Sequence, residues 1–321
     1  MRSLLPLALV LLSALAPLAA DPPPPAAAAK HLFVLPEGAF ASQREPFTAS
    51  RQVPGITAER VRFPSPVVTK VERNNTVHGI YFTPRTPTDR AVLILPWWKG
   101  HDEATVEIIG QAFASAGFNA LFAAMGYQMQ RAPEGRGSGS AIMEESAEHV
   151  QEWMRQAALD ARRAHQWLAT EGKNDPNKIG IVGISLGGFI AGLTYGVAPE
   201  FKAAGVILAG GNLGHYIAMG ARLGIPPVTE GLAKLNIAPD EIERVLAPYD
   251  PVTYADPARK DGLMIVCGLL DPIVPYPVAA DLWNAYGRPR ILRLPTGHVT
   301  TVALVPLVLA GVISHLDRQL K

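Results

Sequence analysis

One stretch constrains this chain more than any other: Asp175-Pro176-Asn177-Lys178-Ile179-Gly180-Ile181-Val182-Gly183-Ile184-Ser185-Leu186-Gly187-Gly188. Asp-Pro-Asn reads as a turn, Ile179 to Val182 as a buried strand, and the residues after Gly187 as a helix. Between strand and helix lies Gly183-Ile184-Ser185-Leu186-Gly187, a Gly-x-Ser-x-Gly elbow in the context such an elbow requires. The spacing has a steric reason. A nucleophilic serine must stand on a sharp, strained turn at the carboxyl edge of a sheet. Side chains at the two flanking positions would then strike the neighbouring strand and helix, and glycine removes them. A plain turn is the alternative reading; the strand before and the helix after weigh against it.

The rest of the chain repeats this rhythm. Short β-rich runs at 59–68, 77–83, 90–96, 119–125, 178–184, 203–209, 262–269 and 289–294 alternate with helical runs at about 103–116, 144–170, 187–197, 275–286 and 300–319. That pattern predicts an α/β fold with a mostly parallel, eight-stranded sheet and helices on both faces. The first two strands have no helix between them and should pair antiparallel at one edge. Val150, Trp153, Met154, Ala157, Ala158, Ala161, Ala164 and Leu168 fall on one helical stripe. Residues 212–256 break the rhythm as a small, partly helical insert after the sixth candidate strand, leaving from the sheet edge where ligands bind in open α/β sheets. They read as a lid or pocket wall. Val299 to Ile313 reads as a buried helix, too short to span a bilayer, with Pro306 tolerable only near its first turn.

A serine hydroxyl needs a base, and the base needs an acid to fix its tautomer. In a fold of this kind the order along the chain is Ser, acid, His. Downstream of Ser185 stand His215, His298 and His315. His298 follows the last strand in Pro295-Thr296-Gly297-His298, at the carboxyl edge; His215 opens the insert and His315 lies in a terminal helix. Asp271 ends the strand before it, in Gly268-Leu269-Leu270-Asp271-Pro272, whereas Asp250, Asp256 and Asp261 precede that strand and read as turn or solvent residues. The expected triad is therefore Ser185, Asp271 and His298. The oxyanion needs two N–H donors. Leu186 should supply one, and the loop Leu95-Pro96-Trp97-Trp98-Lys99-Gly100 the other, from Trp98 first and Trp97 second. The two indoles could also wall an acyl or sugar pocket. Tyr127 and Arg131, with Arg136, follow the fourth strand at the same edge and are candidate substrate contacts, with solvated loop residues as the alternative.

Composition narrows the partners. Of 321 residues, 48% are hydrophobic and 18% charged, with 29 Lys+Arg against 28 Asp+Glu. Such a chain can build a core, and its balanced charge offers no surface for nucleic acid or anionic membrane. The expected partner is a small, roughly neutral ligand. Residues 1–20, MRSLLPLALVLLSALAPLAA, have the charged start, apolar core and small-residue end of a secretory signal, and 21–30, DPPPPAAAAK, of a linker. The expectation is a secreted or periplasmic protein with no stable membrane span after cleavage and a single domain over 31–321. Cys267, the one cysteine, reads as a buried strand residue. His101-Asp102-Glu103 reads as a helix start, not a metal site, and Asn74-Asn75-Thr76 fits a glycosylation sequon.

The elbow Gly-Ile-Ser-Leu-Gly-Gly at 183–188, Asp160-Ala161-Arg162-Arg163-Ala164 and Gly268 to Pro272 resemble the α/β-hydrolase superfamily over roughly 59–320, and its dienelactone-hydrolase and acetylxylan-esterase-like branch in particular. The resemblance implies a serine carboxylic-ester hydrolase without cofactor or metal, acting through Ser185, Asp271 and His298. Pro96-Trp97 departs from the branch's common His-Gly oxyanion pattern. A serine peptidase acting on short peptides and a non-catalytic binding protein on the same fold are the alternatives. Small side chains and Pro226-Pro227 in the insert predict a shallow pocket and a preference for short acyl groups.

Overall fold

The computed structural model describes residues 29–321 apart from 101, 102, 145 and 236. The signal reading, most of the linker reading and His101-Asp102 lie outside the described residues. Nine strands, β1 (Gln43–Phe47), β2 (Thr57–Pro64), β3 (Thr76–Thr83), β4 (Ala91–Leu95), β5 (Asn119–Ala123), β6 (Ile179–Ile184), β7 (Ala203–Ile207), β8 (Leu263–Gly268) and β9 (Arg290–Leu294), make one sheet. Its order is β1-β2-β3-β5-β4-β6-β7-β8-β9. Strands β4 to β9 run parallel, while β1, β2 and β3 are antiparallel and join the rest through β5.

The sheet has nine strands where the sequence predicts eight. The addition, β1, contains Pro46 and is exposed along four of its five residues. It has no apolar face of its own and exists as a strand because its backbone pairs with β2. An edge position also tolerates the missing proline donor. The central strands are the opposite case: β4, β5 and β7 are buried at every residue, as strands covered on both faces must be.

The described residues form eight helices: α1 (Glu103–Ser115), α2 (Ala147–Thr170), α3 (Leu186–Val197), α4 (Leu213–Leu223), α5 (Pro226–Leu235), α6 (Pro239–Leu246), α7 (Tyr276–Ala285) and α8 (Val305–Gln319). Helix α2 starts where the Ser146 side chain accepts the His149 amide, and it buries the whole predicted stripe. Trp153 and Trp167 on it are almost wholly buried, each withdrawing about 150–250 Å² from water. With α3 and α7 it packs on one face; Phe113 of α1 and Val312 and Leu316 of α8 fill the other.

Pro306 sits in the first turn of α8, where its missing N–H costs nothing. A 3₁₀ segment from Thr300 extends this helix over the span 300–319 read from the sequence; at twenty residues, unlike the shorter apolar run Val299 to Ile313, it is long and apolar enough to cross a membrane by length and composition alone. Here it lays Val308, Val312 and Leu316 on the sheet. The insert contains α4, α5 and α6 and follows β7.

Candidate active site

Ser185 sits between β6 and α3 with φ 54° and ψ −116°, a conformation L residues rarely adopt. Its amide donates to the Ile207 carbonyl at 2.8 Å, and its carbonyl accepts from Gly188 N at 2.8 Å. The flanking glycines are required by space. A Cβ on Gly183 would come within 1.9 Å of the Gly187 carbonyl oxygen, and one on Gly187 within 2.4 Å of the Pro96 oxygen.

His298 lies in the loop after β9, with Nε2 2.9 Å from Ser185 Oγ and Nδ1 2.7 Å from Asp271 Oδ2. Asp271 follows β8 and is buried. Its other oxygen, Oδ1, accepts the Ile273 and Val274 amides at 2.8 and 2.9 Å, so the carboxylate is aimed by backbone and spends one oxygen on the imidazole. The two loops are tied together: Leu269 N donates to Leu294 O and Leu270 N to Thr296 O. This geometry places the proton on His298 Nδ1 and leaves Nε2 free to accept from Ser185.

The Leu186 amide opens α3 beside Ser185 and, with the Trp98 amide, has no hydrogen-bond acceptor among the described residues. Gln128, fully buried, donates to the Trp97 carbonyl at 2.9 Å and fixes that peptide. Trp98 turns its ring toward Ser185 and donates from Nε1 to Gly139 O. Trp97 instead packs into the opposite layer with the α1 side of the sheet, so one indole, not two, walls the pocket.

Two expected substrate contacts lie elsewhere. Arg131 is wholly buried, paired with Asp160 at 2.7 Å and donating to the Asn74 and Ala124 carbonyls. A guanidinium taken from water needs such partners, and α2 supplies the carboxylate. Tyr127 is buried with φ 62° and its ring 5.1 Å from that of His149, off the pocket. Arg136 pairs with Glu144 at the surface. Asn74 is buried too: its amide nitrogen donates to Gln156 and its oxygen accepts the Tyr127 amide, so the folded chain withholds that sequon.

Beside Ser185 opens an apolar cavity of about 130 Å³. Leu213 and Ile217 of α4, Val228 and Leu232 of α5, and Ile242 and Leu246 of α6 roof it. Where the insert's small residues predict a shallow pocket, the structure has an apolar cavity walled by the large side chains of three helices. Each pair is four residues apart, a helical stripe that the sequence displays and that the composition of the insert obscured. Tyr216 was also missed. It lines the cavity, and burial, with the Asp271 charge nearby, pushes its hydroxyl up to about 12.

The remaining titratable groups serve the frame. Asp250 accepts the Asn212, Leu213 and Val252 amides, pinning the start of α4; burial outweighs those amides and raises its carboxyl to about 6. His215 of α4 meets Asp281 of α7 at 2.5 Å, and His315 Nε2 meets Gly262 O at 3.0 Å. Cys267 is buried, with its thiol pushed up to about 11. Among the described residues no group of three or more His, Cys, Asp or Glu could hold a metal ion.

A mixed sheet covered by helices, with a serine elbow at the carboxyl end of β6, defines the α/β-hydrolase fold. Residues 77–214, from β3 to the start of α4, match the model of the Dienelactone hydrolase family. Proteins described as uncharacterized from two Mycobacterium tuberculosis strains, CDC 1551 / Oshkosh and ATCC 25618 / H37Rv, are 26% identical over 226 residues, 69% of this chain and 48% of theirs. The chain thus spans about half the length of these curated relatives. The acetyl xylan esterase from Paenibacillus sp. R4 superposes with a TM-score of 0.64 at 17% identity, over 89% of this chain and 92% of its own. Acetyl xylan esterase 1 from Thermoanaerobacterium sp. JW/SL YS485 gives 0.60 at 16% identity, over 84% and 88%. At such identities the likeness is one of fold.

Proposed function

We propose that this protein is a serine hydrolase that cleaves carboxylic esters through an acyl-enzyme. The observation that carries the reading is the unbroken chain from Asp271 Oδ2 through His298 to Ser185 Oγ, 2.7 and 2.9 Å long, ending on a strained serine at a helix N-terminus. His298 Nε2 takes the hydroxyl proton as Ser185 Oγ bonds to the ester carbonyl carbon, and Asp271 stabilises the imidazolium that results. The carbonyl oxygen becomes an oxyanion facing the Leu186 and Trp98 amides, whose fixed dipoles need no reorganisation. His298 then returns the proton to the departing alkoxide. Water, deprotonated by the same imidazole, attacks the acyl carbon and restores Ser185.

A secreted or periplasmic setting, read from residues 1–20, belongs to the same proposal. Its test is a panel of p-nitrophenyl esters and aminoacyl anilides, together with labelling by a fluorophosphonate. Ester turnover with modification of Ser185 supports the reading. Turnover of anilides alone would make the protein a peptidase, and no turnover with no label would leave it a binding protein.

A further inference from the structure

Three helices of the insert close over Ser185, yet what they enclose is almost free of hydrogen-bonding groups. The indole donors of Trp98 and Trp153 are spent on the Gly139 and Gly126 carbonyls at 2.9 and 3.1 Å. Among the described lining residues, Ser185 and Tyr216 alone bring a hydroxyl. A sugar ring or peptide placed here would leave its polar groups unpaired, and each buried unpaired group is costly. An acetyl group would leave most of the space empty. A protein cavity of roughly 150 Å³ lined by Leu, Ile and Phe accepts benzene, and the cavity here, about 130 Å³, is of that order.

Resting on the ester-hydrolase reading, we propose that this cavity takes the acyl arm of the ester and that the arm is an apolar chain or ring of about six carbons. The acyl arm, not the alcohol, belongs there. The alcohol must leave before water can attack, and a group seated beneath α4, α5 and α6 is held back by the apolar walls, whereas the acyl arm stays covalently attached throughout. The polar part of a substrate is left outside this cavity. Each methylene taken from water into the cavity should raise kcat/KM by roughly fourfold, up to the length the walls allow.

The experiment is a p-nitrophenyl ester series from acetyl to hexadecanoyl on the full chain. Four methylenes at about fourfold each put hexanoyl above acetyl by roughly two-hundredfold in kcat/KM, with a decline by dodecanoyl. An optimum at acetyl, or a profile still rising at hexadecanoyl, overturns the proposal. Gly231 lines the cavity, and a Cβ there would meet only the flexible Met143 Sδ, at 3.2 Å. Gly231→Phe should therefore lower the hexanoyl-to-acetyl ratio at least about tenfold; an unchanged ratio in a folded variant also overturns it. If that variant does not fold, phosphonylation of Ser185 in the unaltered protein decides: hexylphosphonate p-nitrophenyl esters should label faster than methylphosphonate ones, and the reverse order refutes the cavity's role. Failure of the ester-hydrolase reading looks different, since no chain length would then be turned over and no phosphonate would label Ser185.

Discussion

The carboxyl edge of the sheet and the insert that covers it are held by different forces. At the edge, positions follow from backbone: a residue at φ 54°, glycines with no room for a Cβ, and loops tied by main-chain hydrogen bonds. In the insert, α4, α5 and α6 are placed by side-chain burial and a few polar anchors, chiefly Asp250 under α4 and the His215–Asp281 contact to α7. The first kind of construction tolerates no displacement. The second can vary in shape while the chemistry below stays the same. Changes at the edge should therefore act on kcat and changes in the insert on substrate choice and local stability.

The largest test of that division is Ser185→Ala. Turnover of every ester should fall on the order of a million-fold, with circular dichroism and thermal midpoint nearly unchanged. Ester hydrolysis that survives would remove the edge from the chemistry. Next come the two buried aspartates, one in each region. Asp271→Asn should lower kcat by up to roughly ten-thousandfold with little change in KM, because an amide holds His298 in the wrong tautomer. Asp250→Asn, which loosens α4, should alter KM and acyl preference far more than kcat. An Asp250 variant with the larger kcat loss would reverse the assignment of the acid.

A smaller effect is expected from Ile242→Ala, which deletes a buried side chain between the cavity and the α6 interior. Large-to-small substitutions of this kind cost about 2–5 kcal/mol. Hydrogen exchange should show that loss concentrated in α4 to α6, with β6 and β8 still protected. Uniform loss of protection would mean that the insert and the sheet are one cooperative unit.

The same division explains what could be read in the sequence. Ser185, Asp271 and His298 were legible because each sits at a strand end flanked by glycine or proline, a local pattern. The central strands β4 to β8 were legible as nearly continuous apolar runs, and β2, β3 and β9 as β-rich runs that mix apolar with polar residues. Strand β1 was not, since its partner β2, and no apolar pattern of its own, makes it a strand. Arg131 was misplaced for a related reason: its partner Asp160 is on α2, and nothing near Arg131 in the chain signals that the guanidinium turns inward. The cavity was missed because its lining converges from α2, α3 and three insert helices, each contributing one short stripe.

The smallest effect concerns pH, and it separates the insert's anchor from the rest of the molecule. Burial raises the Asp250 carboxyl to about 6, above the unfolded aspartate value near 3.8. Between these values the folded chain binds more protons at this site than the unfolded chain does, so the contribution of Asp250 to stability declines as pH rises from about 4 to about 6. Below that window the site is neutral in both states and the cost is absent. Above it the charged carboxylate is held by three amides but penalised by burial, at a net cost on the order of 3 kcal/mol. Asp250→Asn removes the titration while losing one acceptor for those amides. The difference in melting temperature, variant minus unaltered protein, should therefore move in the variant's favour by a few degrees between pH 4 and pH 6.5 and then level off. A difference that stays flat across that window would show that the three amides, not desolvation, set the proton affinity of Asp250. The start of α4 would then be anchored by a full charge at every pH above 4, and the insert would be more firmly fixed to the sheet edge than its side-chain packing implies.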